Sequence, residues 1–308
     1  MATSRDIEIR SKHGVRTLMR GVGKCSAQYG ELFQGQISSD NDQYHRCLMS
    51  LPCRELVSTV VFDPCPVQPL HVLPAHKQKS LNVVELTLAY CGEESIGGHI
   101  TVTSNIPEAK GCGSSTADCV AAVIATARAI NRVLTEAEVA KLVVQAEVAS
   151  DNLMFSRAIL FAHREGIILT DYGKDIPSLE VLGIDTADEM VVDTLEFPPA
   201  VYTRDQIATF EGLTKALHTA IANDDLGLLG EVATASACIN QAFLPKPMFG
   251  EILQIVKHTS ALGVAVAHSG TVLAILLDPR HEALEQQVES IETELSKLGV
   301  SKKLRYST

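Results

Sequence analysis

The stretch IPEAKGCGSSTAD (106–118) runs without a break into CVAAVIATARAI (119–130), and no other feature constrains the fold as much. Two glycines, two serines and a threonine make a tight polar turn. The residues after it carry Ala, Val and Ile on nearly every face, the pattern of a helix buried all round. Before the turn, HITVTSN (99–105) alternates β-branched and polar residues and reads as a strand. Strand, Gly/Ser loop and buried helix in that order place the free N–H groups and partial positive charge of a helix N-terminus at a loop small enough for a phosphate to approach. The same letters also fit a plain turn before a Ser-capped helix, and neither G-x-x-x-x-G-K-[ST] nor G-x-G-x-x-G is met.

The rest of the chain narrows the choice. At 308 residues there is room for one large domain or two ordinary ones, and 46% hydrophobic residues supply a buried core. A net charge of −11 opposes binding to nucleic acid or to an anionic membrane surface, and 5% aromatics with no Trp leave few stacking platforms. The eight cysteines contain no C-x-x-C pair and no zinc-type spacing, so they read as small buried or half-buried thiols. MATSRDIEIRSKHGVRTLMR (1–20) lacks the apolar core of a signal peptide, and no apolar run is long enough for a membrane span. A soluble, cytoplasmic protein with a small-molecule ligand is expected; a homodimer is left open.

Residues 1–22 read as a basic N-terminal tail. Strands are expected at 58–62, 70–73 and 99–105, and a buried helix from Ser115 to about Leu134. Thr135 and Glu138 form a capping box on a second, amphipathic helix. RAILFAHREGIILTDY (157–172) reads as a hairpin and 179–197 as strand material. Helices follow at about 204–222, 225–242 and 247–261, with a break at LPKP (244–247). Two strands within 263–278 and a last helix over 280–298 complete the chain. This interleaving lacks the regular alternation of a doubly wound sheet and predicts an α+β fold in two lobes, 23–198 and 199–308, joined near 195–204.

PEAKGCGSSTAD resembles the phosphate-binding motif of the GHMP kinases. CSAQYGELFQG (25–35) is similar to their N-terminal motif and HSGTVLAILLD (268–278) to their C-terminal glycine motif. Three motifs in order span almost the whole chain. The likeness is greatest to the L-threonine kinases of cobalamin side-chain synthesis, through CSAQYGELFQG, IPEAKGCGSSTAD and SACINQAFLPKP; Lys110, Asp118 and LPKP favour that branch. The departures are a C-terminal motif with a single glycine, Gly270, and a segment EVASDNLMF (147–155) one residue longer than its counterpart.

The resemblance implies a two-lobed GHMP kinase fold, with a lobe like ribosomal protein S5 domain 2 followed by a ferredoxin-like lobe. It implies an ATP- and Mg²⁺-dependent transfer of phosphate to an amino-acid hydroxyl, most readily that of L-threonine. Homoserine, serine or another small alcohol is the alternative acceptor, and a catalytically silent nucleotide-binding regulator the alternative class. Backbone N–H groups of Gly111, Cys112, Gly113, Ser114, Ser115 and Thr116 would hold the ATP phosphates. Lys110 would offset phosphate charge, or is a solvated loop lysine. Ser115 and Glu147 would serve the metal, although Glu147 also fits an ordinary helix end. Asp151 would accept or orient the acceptor's proton, or is a turn aspartate. Glu31, Asn240 and His268–Ser269 would line the acceptor site, with the Glu31 carboxylate facing an ammonium group, or Glu31 is a surface turn glutamate and His268 a rim residue rather than a base.

Overall fold

The computed structural model describes residues 7–11, 14–39, 43–187 and 200–308. Two long strands form its spine. β3 (Gly21–Ser38) and β4 (Tyr44–Cys65) pair antiparallel over almost their full length, interrupted by irregularities between Ser26 and Phe33. Within the segment read as tail, β1 (Ile7–Ser11) and β2 (Gly14–Leu18) pair as a small hairpin. β4 continues the sheet to β6 (Gly97–Ser104), and β6 pairs in parallel with β5 (Leu70–Leu73). A hairpin of β7 (Ile159–Ala162) and β8 (Ile167–Asp171) joins β4 at Leu48, as 157–172 predicts.

On the other side of β3 lie β10 (Gly263–Val266), β11 (Val272–Leu277), β9 (Glu180–Asp185) and β12 (Lys303–Ser307), all antiparallel. β9 thus pairs only with strands from the end of the chain. The join expected near 195–204 and most of the strand material expected beyond Asp185 lie outside the described residues.

Two hydrophobic clusters fill the molecule. One is built on β3, β4 and β6 with α1 (Gln78–Tyr90), α2 (Ser114–Ala129), α3 (Glu136–Glu147), α4 (Arg204–Asn223) and α5 (Leu226–Asn240). The other packs α6 (Phe249–His258) and α7 (Leu284–Lys297) on β9, β10 and β11 through Ile252, Val256, Ile291 and Leu295. α2 is rich in alanine because it lies directly on β3. A Cβ at Gly23 would stand 1.9 Å from the Ala121 carbonyl oxygen, and one at Gly21 equally close to that of Ala125. Only glycine opposite small helix residues allows that approach. Almost all of α2 is buried, and its N-terminus is therefore fixed by the core.

Candidate active site

Gly113 takes a left-handed conformation (φ 71°) and is the N-cap of α2, so the loop before it turns sharply and delivers Ser114, Ser115 and Thr116 as the first helical turn. No side chain caps this end. Its N–H groups face a cleft of about 320 Å³ lined by Gly111 to Thr116, Glu147, Ser150, Asp151, Gln28, Lys79, His163, Arg164, His268 and Ser269. The loop locks into the C-terminal motif. The Lys110 carbonyl accepts the N–H groups of Thr271 (3.1 Å) and Val272 (3.3 Å). A Cβ at Gly111 (φ 88°) would lie 1.8 Å from the Ser269 carbonyl oxygen, and one at Gly270 (φ 82°) 2.2 Å from the Lys110 carbonyl carbon. Two glycines at positive φ are what let the loops interlock. The Gln28 N–H ties the loop to β3 through the Cys112 carbonyl at 3.2 Å.

Glu147 closes α3, whose capping box of Thr135 and Glu138 forms as the sequence predicts. Its side chain is buried; Oε2 accepts the Thr116 hydroxyl at 2.9 Å and Oε1 lies 3.5 Å from the Lys79 ammonium. Burial pushes its pKa up, against the lowering effect of Ser115, Lys79 and Thr116. Val148, left-handed at φ 72°, ends the helix and turns the chain back into the cleft. The next residues are pinned: the Ser150 N–H donates to the His163 carbonyl at 2.9 Å. Asn152 accepts the Ser50 N–H at 3.0 Å and donates to the Ile159 carbonyl at 3.0 Å.

Between those two pins sits Asp151. Its Oδ2 is 2.9 Å from where a Cβ on Gly113 would be, and its N–H donates to the Thr116 hydroxyl at 3.4 Å. Asp151 keeps some exposure to the cleft, yet protein encloses its carboxyl. That enclosure, with the Glu147 charge second, pushes its pKa up to about 7, the range in which a carboxylate serves as a base near neutrality.

The sequence-predicted residues do not all point alike. Gly111 to Thr116, Glu147, Asp151 and Ser269 line the one cleft. The Thr116 hydroxyl is occupied by Glu147 and Asp151. Lys110 turns its ammonium away to Asp185 (2.9 Å) and the Ala187 carbonyl (3.0 Å). Asn240 lines a neighbouring pocket, but its amide is committed to the carbonyls of Gln34 (3.0 Å) and Ser236 (2.8 Å) and to the Tyr202 hydroxyl (2.7 Å). Glu31 is 1% exposed and neither carboxylate oxygen has a hydrogen-bond partner among the described residues. Gln28, Ser50 and the His268 backbone face it without completing regular hydrogen bonds, and burial raises its pKa well above the usual carboxylate range. Asp118, a mark of the threonine-kinase branch, is buried in the flank of α2, bonded to Lys77 (2.7 Å) and Ser58 (2.5 Å).

Sequence reasoning named His268 beside Ser269 and missed Gln28, Lys79, His163, Arg164 and Lys246. Of those missed, Gln28 lay within CSAQYGELFQG and Lys246 within LPKP. His163 and His268 meet edge to face with ring centroids 4.9 Å apart, both with pKa lowered by burial, that of His268 to about 4. The His268 Nδ1–H donates to Gln34 Oε1 at 3.0 Å, given that the Gln34 amide nitrogen faces the Val266 carbonyl.

A helix N-terminus cradled by glycines, a buried carboxylate beside its first turn and a base-range aspartate against the loop are the parts that phosphoryl transfer calls for. The sequence profile of the GHMP kinases N terminal domain matches residues 79–156. An L-threonine kinase of Salmonella typhimurium is 30% identical over 283 residues, covering 90% of this chain and 89% of that protein. One from Citrobacter freundii is 32% identical over 267 residues, 85% and 88% of the two chains. The homoserine kinase of Cytophaga hutchinsonii has the same fold, with TM-score 0.68 at 14% identity over 93% of this chain and 94% of its own. The chain belongs to the GHMP kinase family and is a phosphotransferase acting on an alcohol group.

Proposed function

We propose that the protein transfers the γ-phosphate of ATP to the side-chain hydroxyl of L-threonine, giving O-phospho-L-threonine. The observation that carries this is the meeting of Asp151 and Gly113: a base with its pKa near 7 stands beside the N–H groups suited to hold phosphate. In the transfer the acceptor oxygen bonds to the γ-phosphorus, the bond from that phosphorus to the ADP oxygen breaks, and the acceptor proton passes to Asp151. Gly111 to Thr116 bind and align the phosphates through backbone N–H groups, so positioning does most of the work. Lys110 contributes by fixing the loop to Asp185 rather than by touching phosphate. The buried Glu31, its oxygens without partners, suits the acceptor's ammonium group, and the two curated relatives are threonine kinases.

Mg²⁺ fits the donor set. Among the described residues no three acidic, His or Cys side chains converge on one point, but a nucleotide-borne Mg²⁺ takes only one or two protein oxygens. Glu147 and the Ser115 hydroxyl would supply them. Bound there, the ion would offset charge on the transferring phosphoryl oxygens. Turnover with a panel of hydroxy amino acids and alcohols, with the product identified by mass spectrometry, tests the assignment. O-Phosphothreonine is expected; stimulation by another alcohol alone would overturn it.

A further inference from the structure

Beyond His163, Arg164, His268 and Ser269, which it shares with the phosphate cleft, lies a pocket of about 90 Å³. Three cations line it: Arg46, Arg164 and Lys246. Lys246 comes from LPKP and is 5% exposed. It donates to the Gly270 carbonyl at 2.6 Å, which uses one of the three donors of an ammonium group. Burial lowers its pKa to about 7, and the carboxylate acting against that is Glu31. Arg46 and Arg164 add further positive charge, and each disfavours protonation of His268. A buried ammonium this poorly compensated is costly to keep. An anion entering the pocket would offset that cost.

We infer that Lys246 binds the carboxylate of the acceptor, so that the site selects α-amino acids over simple alcohols. This rests on the reading of the acceptor given under Proposed function. With the hydroxyl at Asp151, an α-amino acid presents three polar groups. The two adjoining cavities offer Asp151 to the hydroxyl and the buried Lys246 to the carboxylate, and the partnerless Glu31, buried behind them, is the carboxylate that acts on Lys246. The Pro-flanked setting of Lys246 holds its backbone too: the Lys246 N–H donates to Gln241 Oε1 at 2.7 Å, at the end of α5.

The test compares L-threonine with 1-amino-2-propanol, its decarboxylated analogue, in the wild type and in Lys246→Met. In the wild type, kcat/KM for the analogue should be lower by on the order of 100-fold or more, because its use leaves the cation without a partner. Lys246→Met should raise KM for L-threonine on the order of 100-fold with a smaller change in kcat. It should leave the analogue's kcat/KM within about threefold, the additive expectation for a contact that substrate lacks. Equal losses for both substrates would make Lys246 a structural residue and overturn the inference. Should the variant not fold, L-threoninamide on the wild type reads the same contact, and a KM equal to that of L-threonine would overturn it. If the wild type phosphorylates no hydroxy amino acid, the acceptor assignment has failed and Lys246 falls with it. If it phosphorylates L-threonine without regard to Lys246 or the carboxylate, this inference alone fails.

Discussion

The hydroxyl of Thr116 donates to Oε2 of Glu147 at 2.9 Å, and its oxygen, Thr116 Oγ1, accepts the N–H of Asp151 at 3.4 Å. One side chain in the first turn of α2 thereby braces both carboxylates against the phosphate loop. Thr116→Val keeps the shape and removes the brace, leaving a buried carboxylate oxygen without its donor. Stability should fall by about 1–3 kcal/mol and turnover with it, while Thr116→Ser retains most of both. Urea unfolding and steady-state kinetics on the two variants check this.

Asp151 should govern the acid side of the pH profile. Transfer needs its carboxylate form, so kcat/KM should rise with unit slope up to about pH 7 and then level. Asp151→Asn should remove that limb and lower kcat by about 10²–10⁴-fold while an ATP analogue still binds. Stability in magnesium-free buffer moves the other way. The folded carboxyl holds its proton up to about pH 7, whereas the unfolded one releases it near 3.9. The folded state therefore loses stability as pH rises across that window. Asp151→Asn should gain in relative melting temperature at pH 8 and show little gain at pH 5. Equal gains at both pH values would mean that the carboxyl does not titrate in this range.

The phosphate loop, the carboxylates after α3 and the hairpin of β7 and β8 were legible in the sequence because each has a local signal: small residues before an apolar run, a capping box, or two β-branched runs around a glycine. β3 and most of β4 were not. GVGKCSAQYGELFQGQIS is poor in β-branched residues and carries glycines where α2 (Gly21, Gly23), β10 (Gly30) and Phe210 of α4 (Gly35) press on it, and β4 carries Pro52 and Pro64. α1 has Lys77 at its N-cap and no side-chain cap, and in β12 Tyr306 is the one buried residue, so neither announces itself. Lys246 and Glu31 lie over 200 residues apart, and no local pattern records that the charge of one acts on the other. Placing Lys110 on Asp185 likewise required the fold, because the partner comes from β9.

The interlocked loops predict a sharp contrast among glycines. Gly111→Ala would drive a Cβ into the Ser269 carbonyl at a positive φ, with a cost of at least about 1–3 kcal/mol and loss of nucleotide binding. Gly250→Ala, within α6 and with nothing inside 4 Å of the new Cβ, should instead stabilise by roughly 0.5–1 kcal/mol. Thermal unfolding with and without an ATP analogue separates the two.

Asp118 marks the threonine-kinase branch in sequence but acts in the core. Asp118→Ala leaves the Lys77 ammonium, 12% exposed, with Glu108 as its remaining acidic partner and should destabilise by about 3–5 kcal/mol. KM for ATP and for the acceptor should stay close to wild type in the fraction that folds. A selective rise in either KM would show that the site reaches further along α2 than its first turn.

The central claim is that the N–H groups at the start of α2 hold the triphosphate with Asp151 beside the acceptor. A crystal structure with a non-hydrolysable ATP analogue, Mg²⁺ and L-threonine tests it most directly. The γ-phosphate should rest on residues 113–116 with the threonine hydroxyl between it and Asp151. A nucleotide seated away from that turn, or a threonine hydroxyl facing away from Asp151, would contradict it.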